Sequence, residues 1–136
     1  EIDAGNIVAQ TRVSFPEGIA GDEADRMQSM AGANMLLDVI DNSQFSSHPQ
    51  EETGSYQSWP RDEDWHVPTD WPVQHAFNFI RGTAQWKHPF TLLTHPNPLV
   101  VRWATDYILG ESHRGLAQPM SKGWRVGFSD GWLIVR

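Results

Sequence analysis

The sequence predicts an α+β chain with its helices early and its strands late. Three observations lead there. An apolar stripe at helical spacing runs through residues 22–41, and a shorter one runs through residues 70–82. The last 47 residues, from Phe90, break into short aromatic and β-branched runs punctuated by Gly and Pro. The expected order is a strand, a long helix, an irregular stretch, a short helix and a small β-barrel.

The first strand is expected over residues 7–14, where Ile7, Ala9 and Thr11 alternate with Val8, Gln10 and Arg12. Phe15-Pro16-Glu17-Gly18 ends it, because Pro and Gly punctuate the chain. The long helix opens on Asp22, Glu23 and Asp25, which suit the positive end of a helix dipole. Ala24, Met27, Met30, Ala31, Leu36, Leu37 and Ile40 then recur at helical spacing and read as core. Asn42 is the expected stop.

Residues 43–70 hold Ser, Pro and Gly at intervals that break any period, with Phe45, Tyr56, Trp59 and Trp65 among them. Those aromatics predict a connection pinned to its surroundings. Asp62-Glu63-Asp64 reads as a solvated turn more readily than as a cation site, because no Gly-spaced calcium loop surrounds it. The second helix is capped by Thr69 or Asp70, carries Pro72 in its first turn, and stops at Gly82. Val73, Ala76, Phe77 and Ile80 make one buried face. Phe90–Leu93 and Leu99–Ile108 come next as strands. The final two runs, Trp124–Phe128 and Trp132–Val135, flank Ser129-Asp130-Gly131, a strong hairpin signal that puts Trp124, Val126 and Phe128 on one buried face.

Composition bounds the function. At 136 residues, 39% hydrophobic and 20% charged, the chain is a folded one of about a domain's length. Cys is absent, which excludes disulfides, thiolate metal sites and cysteine nucleophiles, and fits a cytoplasmic protein. No apolar run approaches a membrane span and no signal peptide is visible. The chain opens on Glu1 and not on Met, so a trimmed or partial product is expected. A net charge of −7, from 10 basic and 17 acidic residues, disfavours nucleic acid as a partner. Seven Trp read as core filler and loop staples before they read as a stacking platform. There is no G-x-S-x-G elbow, P-loop, G-x-G-x-x-G or H-E-x-x-H, and the six His stand at no paired ligand spacing, so no metal site is expected.

One short motif carries chemistry. Asp3-Ala4-Gly5 is a tight acidic turn leading into the first strand, and Gly5 supplies the conformational freedom such a turn uses. An ordinary turn into a strand is the plain reading. A catalytic carboxylate held at the edge of a sheet is the sharper one.

The motif resembles the aspartate segment of the folate-dependent formyltransferases, the family of methionyl-tRNA formyltransferase and the sugar-amine formyltransferases. Tyr56-Gln57-Ser58-Trp59-Pro60-Arg61-Asp62-Glu63-Asp64, followed by Ala76-Phe77-Asn78-Phe79-Ile80-Arg81-Gly82, resembles that family's connector, whose helix ends in Ile-Arg. Gly82 stands where the family has Ala. Gly123-Trp124-Arg125-Val126 and Asp130-Gly131-Trp132-Leu133 resemble its closing hairpin.

The resemblance implies three regions. Residues 1–42 would be the terminal strand and helix of an α/β catalytic domain, 43–85 a connector, and 86–136 an OB-like barrel. It implies formyl transfer from 10-formyltetrahydrofolate to an amine, with Asp3 as the catalytic acid–base group, Gly5 as its structural turn and Arg81 as the connector's anchor. The family's Asn-x-His is not matched by any of the six His residues. The chain by itself is therefore expected to be inactive, and to pair with the remaining half of a catalytic domain. The negative charge favours a small-metabolite or sugar amine over tRNA as acceptor. The alternative is a non-catalytic ligand- or protein-binding module derived from the same family.

Overall fold

The structure is a computed structural model that describes residues 5–42, 46–50, 55 and 57–136. It is mixed α+β, with two α-helices and seven strands among the described residues. The chain divides into two compact units. The first comprises Glu1–Phe15 with Glu23–Trp59, and the second Pro16–Asp22 with Pro60–Arg136.

In the first unit, residues 7–14 form no ladder. Ile7 alone bridges to His48, antiparallel. The alternation that predicts a strand is present. A strand also needs a neighbour to receive its N–H and C=O groups, and none of the described residues supplies one beyond that bridge. Helix α1, Gly21–Asp41, forms as the stripe predicts. Asn42 ends it, donating from both its backbone N–H (3.1 Å) and its side-chain amide (2.7 Å) to the Asp38 carbonyl. The expectation that its apolar residues are core is corrected. Met30, Leu36, Leu37 and Ile40 are 55%, 60%, 58% and 66% exposed, and Gly21 is the helix's one buried residue. Periodicity reports which residues share a face, and it does not report what covers that face.

The second unit holds the core. Among the described residues, every buried apolar side chain lies at or after Trp65. A 3-10 turn over Asp62–Trp65 leads into β1 (His66–Val67). Helix α2 spans Val73–Thr83 and buries Val73, Ala76 and Ile80, with Phe77 half-buried beside them. Gly82 does not end it. The helix runs on to Thr83, whose hydroxyl bonds back to the Phe79 carbonyl at 2.7 Å, and then tightens into a 3-10 turn over Ala84–Trp86. The left-handed residue that stops this stretch is Lys87, with φ 60°.

The strands build two sheets and no single closed barrel. β1 pairs in parallel with β2 (Phe90–Leu92), which pairs antiparallel with β3 (Leu99–Val101). The second sheet is antiparallel throughout, in the order β4 (Ala104–Leu109), β7 (Gly131–Val135), β6 (Gly123–Gly127), β5 (Ala117–Met120). The long strand expected over Leu99–Ile108 is thus two strands. The break falls at Arg102-Trp103, where both backbone N–H groups turn to the Arg136 carbonyl. The hairpin over Ser129-Asp130-Gly131 forms as predicted, closed by the Phe128 N–H on the Gly131 carbonyl at 2.8 Å. Val126 and Phe128 are fully buried, while Trp124 at the strand's far end is 38% exposed.

The predicted hairpin also does something the sequence does not announce. Neither Thr69 nor Asp70 caps α2. The cap is the Asp130 carboxylate, which accepts the Val73 N–H at 2.7 Å from 57 residues away. Ser129 bonds the Trp71 carbonyl through its hydroxyl (2.8 Å) and its backbone N–H (3.4 Å). Gly131 is required by this docking. A Cβ there would stand 2.3 Å from the Ile108 carbonyl oxygen and 2.9 Å from a Val73 methyl.

Candidate functional site

Asp3, the expected catalytic carboxylate, lies outside the described residues, as do Glu1, Ile2 and Ala4. The turn at Gly5 is tied to residues 47–50 of the same unit. The Gly5 carbonyl accepts a bond from the Gln50 amide at 2.8 Å. Asn6 donates to the Ser47 hydroxyl at 3.2 Å, and Ile7 and His48 exchange both backbone bonds, at 2.8 and 3.1 Å. A Cβ on Gly5 would meet nothing within 4 Å, so space alone does not call for a glycine there.

Beside this turn, Val8–Thr11 and one side of α1 enclose an open cleft of about 660 Å³. Ala31, Met35 and Val39, four apart on the helix, give it a half-buried apolar floor. Asn34, Asp38 and Asn42, also four apart, give it amide and carboxylate groups. No Lys or Arg is among its lining residues.

Arg81, in the second unit, stands in the last turn of α2 and is bonded to two other segments. Its Nε donates to the Gly18 carbonyl, and its Nη1 donates to the Ala104 carbonyl at 3.5 Å. The guanidinium lies 4.5 Å from the centre of the Trp103 ring and 5.5 Å from that of Phe77. One planar cation thus joins the segment before α1, helix α2 and the start of β4. The surrounding residues complete the clamp. The Gly18 N–H donates to Asn78 Oδ1 at 2.7 Å, and Gly18 holds φ 63° where an added Cβ would strike the Phe77 ring at 2.4 Å. The Tyr107 hydroxyl donates to the Glu17 carboxylate. That bond, followed by desolvation and by the negative charges of Glu17, Asp106 and Asp130, raises the Tyr107 pKa. Gly21 closes the segment against α2, since a Cβ on it would stand 2.1 Å from the Gly82 carbonyl oxygen. Gly82 thus serves as a contact surface and not as a stop.

Two further clusters belong to the second unit. Trp65 is buried, with His88 stacked on it at 4.7 Å and the rings of Trp86 and Phe90 edge-on at 5.6 Å each. His88 is fixed by the Pro89 carbonyl at 2.8 Å and stands 3.8 Å from Asp62. Asp64 turns back to accept the Arg61 backbone N–H at 2.8 Å, so the acidic run is spent partly on its own turn. No group of three or more His, Asp or Glu among the described residues is placed to hold a metal ion. At one end of the four-stranded sheet, Arg102 and Arg136 are joined through their backbones, and the Arg136 side chain passes Gly123, next to Lys122. All three cations are exposed.

Of the three residues expected from sequence, Gly5 is in the first unit, Arg81 is in the second and Asp3 lies outside the described residues. Glu17, Gly18, Asn78 and Tyr107 form the clamp and were not expected. Only the Pro16-Glu17-Gly18 turn signal hinted at them. No helix among the described residues is long and apolar enough to cross a membrane.

No family model matches the chain. Its sequence is similar to curated methionyl-tRNA formyltransferases. Those of Staphylococcus aureus strains Newman and N315 are each 29% identical to it over 102 residues. The match covers 71% of this chain and 32% of each relative, so the chain spans about a third of the length of the curated relatives it matches.

Proposed function

We propose that this chain is part of a folate-dependent formyltransferase, moving a formyl group from 10-formyltetrahydrofolate to an amine. The observation that carries the reading is the 29% identity to methionyl-tRNA formyltransferases over 102 residues. Two structural features support it. Ile7, at the head of the strand expected over residues 7–14, exchanges both backbone bonds with His48, as a residue entering a sheet would. The Ile80-Arg81 ending of the connector helix is a structural anchor, which gives the motif a physical reason to be present.

In such a reaction the amine nitrogen attacks the formyl carbon and sheds a proton, while the bond from that carbon to the donor's nitrogen breaks and that nitrogen takes up a proton, leaving as tetrahydrofolate. Asp3 is proposed to orient or accept that proton. The Asn and His that the family uses with it find no match in this sequence, so the chain alone is expected to be without activity. The donor is not assigned to the cleft beside α1. The donor carries glutamate carboxylates, and the cleft lining has Asp38 but no cation to meet them. The regions 1–42, 43–85 and 86–136 remain the proposed division of the functional parts.

The acceptor admits two readings. The net charge of −7 favours a small-metabolite or sugar amine. The distribution of charge favours a polyanion such as tRNA. Six of the ten basic residues stand at or after Lys87, against three of the seventeen acidic ones. Formyl transfer in the complete protein to an amino sugar and to methionyl-tRNA, measured across salt concentrations, separates the two. Asp3→Ala should reduce transfer at least about a hundredfold with the fold retained. Wild-type turnover in that variant would remove Asp3 from the catalytic set.

A further inference from the structure

Thr69 and Asp70 are the residues from which the sequence predicts the cap of α2, and Asp130 holds that place. Thr69 and Asp70 line a cleft of about 300 Å³ in the second unit, together with Pro68, Leu93, His95 and Arg114. Backbone bonds fix its walls to one another. The Leu93 N–H donates to the Val67 carbonyl at 3.0 Å, and the His95 N–H to the Gly115 carbonyl at 2.9 Å. Gly115 holds φ 79°, and a Cβ on it would stand 2.8 Å from the His95 ring. Glycine therefore lets the imidazole lie close against the segment that carries Arg114. The walls are set before any ligand arrives, which lowers the cost of binding one.

The polar groups of this cleft lack close partners. Thr69 is 7% exposed, yet its hydroxyl reaches only the Leu93 carbonyl, at 3.5 Å, the far limit of a hydrogen bond. A hydroxyl so buried normally has a nearer partner. The side chains of Asp70, His95 and Arg114 make no hydrogen bond or ion pair among the described residues. Asp70 and Arg114 are thus of opposite charge in one small cleft and do not neutralise each other.

We propose that this cleft binds a free amino acid in its zwitterionic form. The ammonium is met by Asp70 and the carboxylate by Arg114, whose guanidinium can offer two parallel bonds to it. His95 and the Thr69 hydroxyl supply further hydrogen bonds, and an apolar side chain lies along Pro68 and Leu93. The charge pattern selects this ligand. A simple anion would meet Arg114 with Asp70 repelling it, and a simple cation would meet Asp70 with Arg114 repelling it. A molecule carrying both charges a few bonds apart answers both. The volume stands at the small end of ligand sites, as one amino acid requires. The site uses none of the residues assigned to formyl transfer and stands or falls apart from that reading.

The test is a titration of the 136-residue chain with L-leucine, followed by backbone-amide NMR at low salt. Saturable shifts centred on Thr69, His95 and Gly115 are expected. Leucinamide keeps the ammonium and lacks the carboxylate, and N-acetyl-leucine does the reverse. Each should bind at least about tenfold more weakly than leucine. Arg114→Gln should weaken leucine by a similar factor and leave leucinamide unchanged, while Asp70→Asn should weaken leucine and strengthen N-acetyl-leucine. Both positions are exposed, so both variants should keep the wild-type circular dichroism. The two analogues test the charge pattern on the unaltered chain even where a variant loses structure. No saturable shift with millimolar leucine, shifts centred elsewhere, an analogue or inorganic phosphate binding as tightly as leucine, or both variants behaving as wild type would overturn the proposal.

Discussion

The two compact units put similar side chains to different use. In the second, Phe90, Leu92, Leu133 and Val135 are wholly buried. In the first, the leucines and isoleucine of α1 are more than half exposed. Apolar content does not distinguish the two regions. What differs is the number of directions from which backbone arrives. The second unit has two sheets and a helix whose inward faces meet, so each apolar residue finds several neighbours. Among the described residues, the first has one helix, one segment outside any ladder and a single bridge at Ile7–His48. A helix and one such segment are too few layers to enclose a core.

The sharpest way to break this comparison is to truncate one large apolar side chain in each unit. Phe90→Ala deletes a fully buried ring in edge contact with Trp65 and Phe79, and should cost about 3–5 kcal/mol in urea denaturation. Leu36→Ala, in dilute solution, should stay within about 0.5 kcal/mol of wild type. Equal losses would show that α1 is packed as well as the core of the second unit. The next effect is at the clamp. Arg81→Ala removes charged bonds to the Gly18 and Ala104 carbonyls and should cost about 1.5–3 kcal/mol. Arg81→Lys should recover little of this, because an ammonium cannot lie flat between Trp103 and Phe77 while reaching both carbonyls. Full recovery by Lys would reduce the clamp to simple charge.

A smaller effect is expected at the remote cap. Asp130→Ala should lower stability by about 1 kcal/mol, with the loss of protection in amide exchange concentrated at Val73 and the turn after it. The smallest concerns Tyr107. Its raised pKa means the folded state favours the neutral phenol that donates to Glu17. That contribution is complete below the ordinary tyrosine range near about 10 and is lost as pH rises through the folded value. Ultraviolet titration should show one of the two tyrosines ionising late, and Glu17→Ala should bring it back.

Local signals were legible in the sequence wherever a local cause decides the structure. Asp130-Gly131 gave the hairpin, the stripe from Val73 to Ile80 gave α2, and the acidic first turn and Asn42 gave the two ends of α1. What failed was non-local. Strand β5 carries Gln118-Pro119-Met120, which has no β-branched residue, and exists because β6 offers it an edge. Strand β1 is two residues long and is held by β2. The α1 stripe is a face, as its spacing predicts, and is not core. Of the candidate site, Arg81 was singled out by its Ile-Arg motif, and its contacts were not legible there. The partners that make it an anchor, Gly18 and Ala104, are 63 and 23 residues away and leave no mark near it.

The cap on α2 has a consequence for how the chain is made. Val73 emerges from the ribosome long before Asp130, so the helix must wait for 57 more residues before its first turn is tied. Anything that removes the hairpin at Asp130 leaves that turn untied, however intact the helix's own code. For this unit, a residue translated late is a condition of order in a helix translated early.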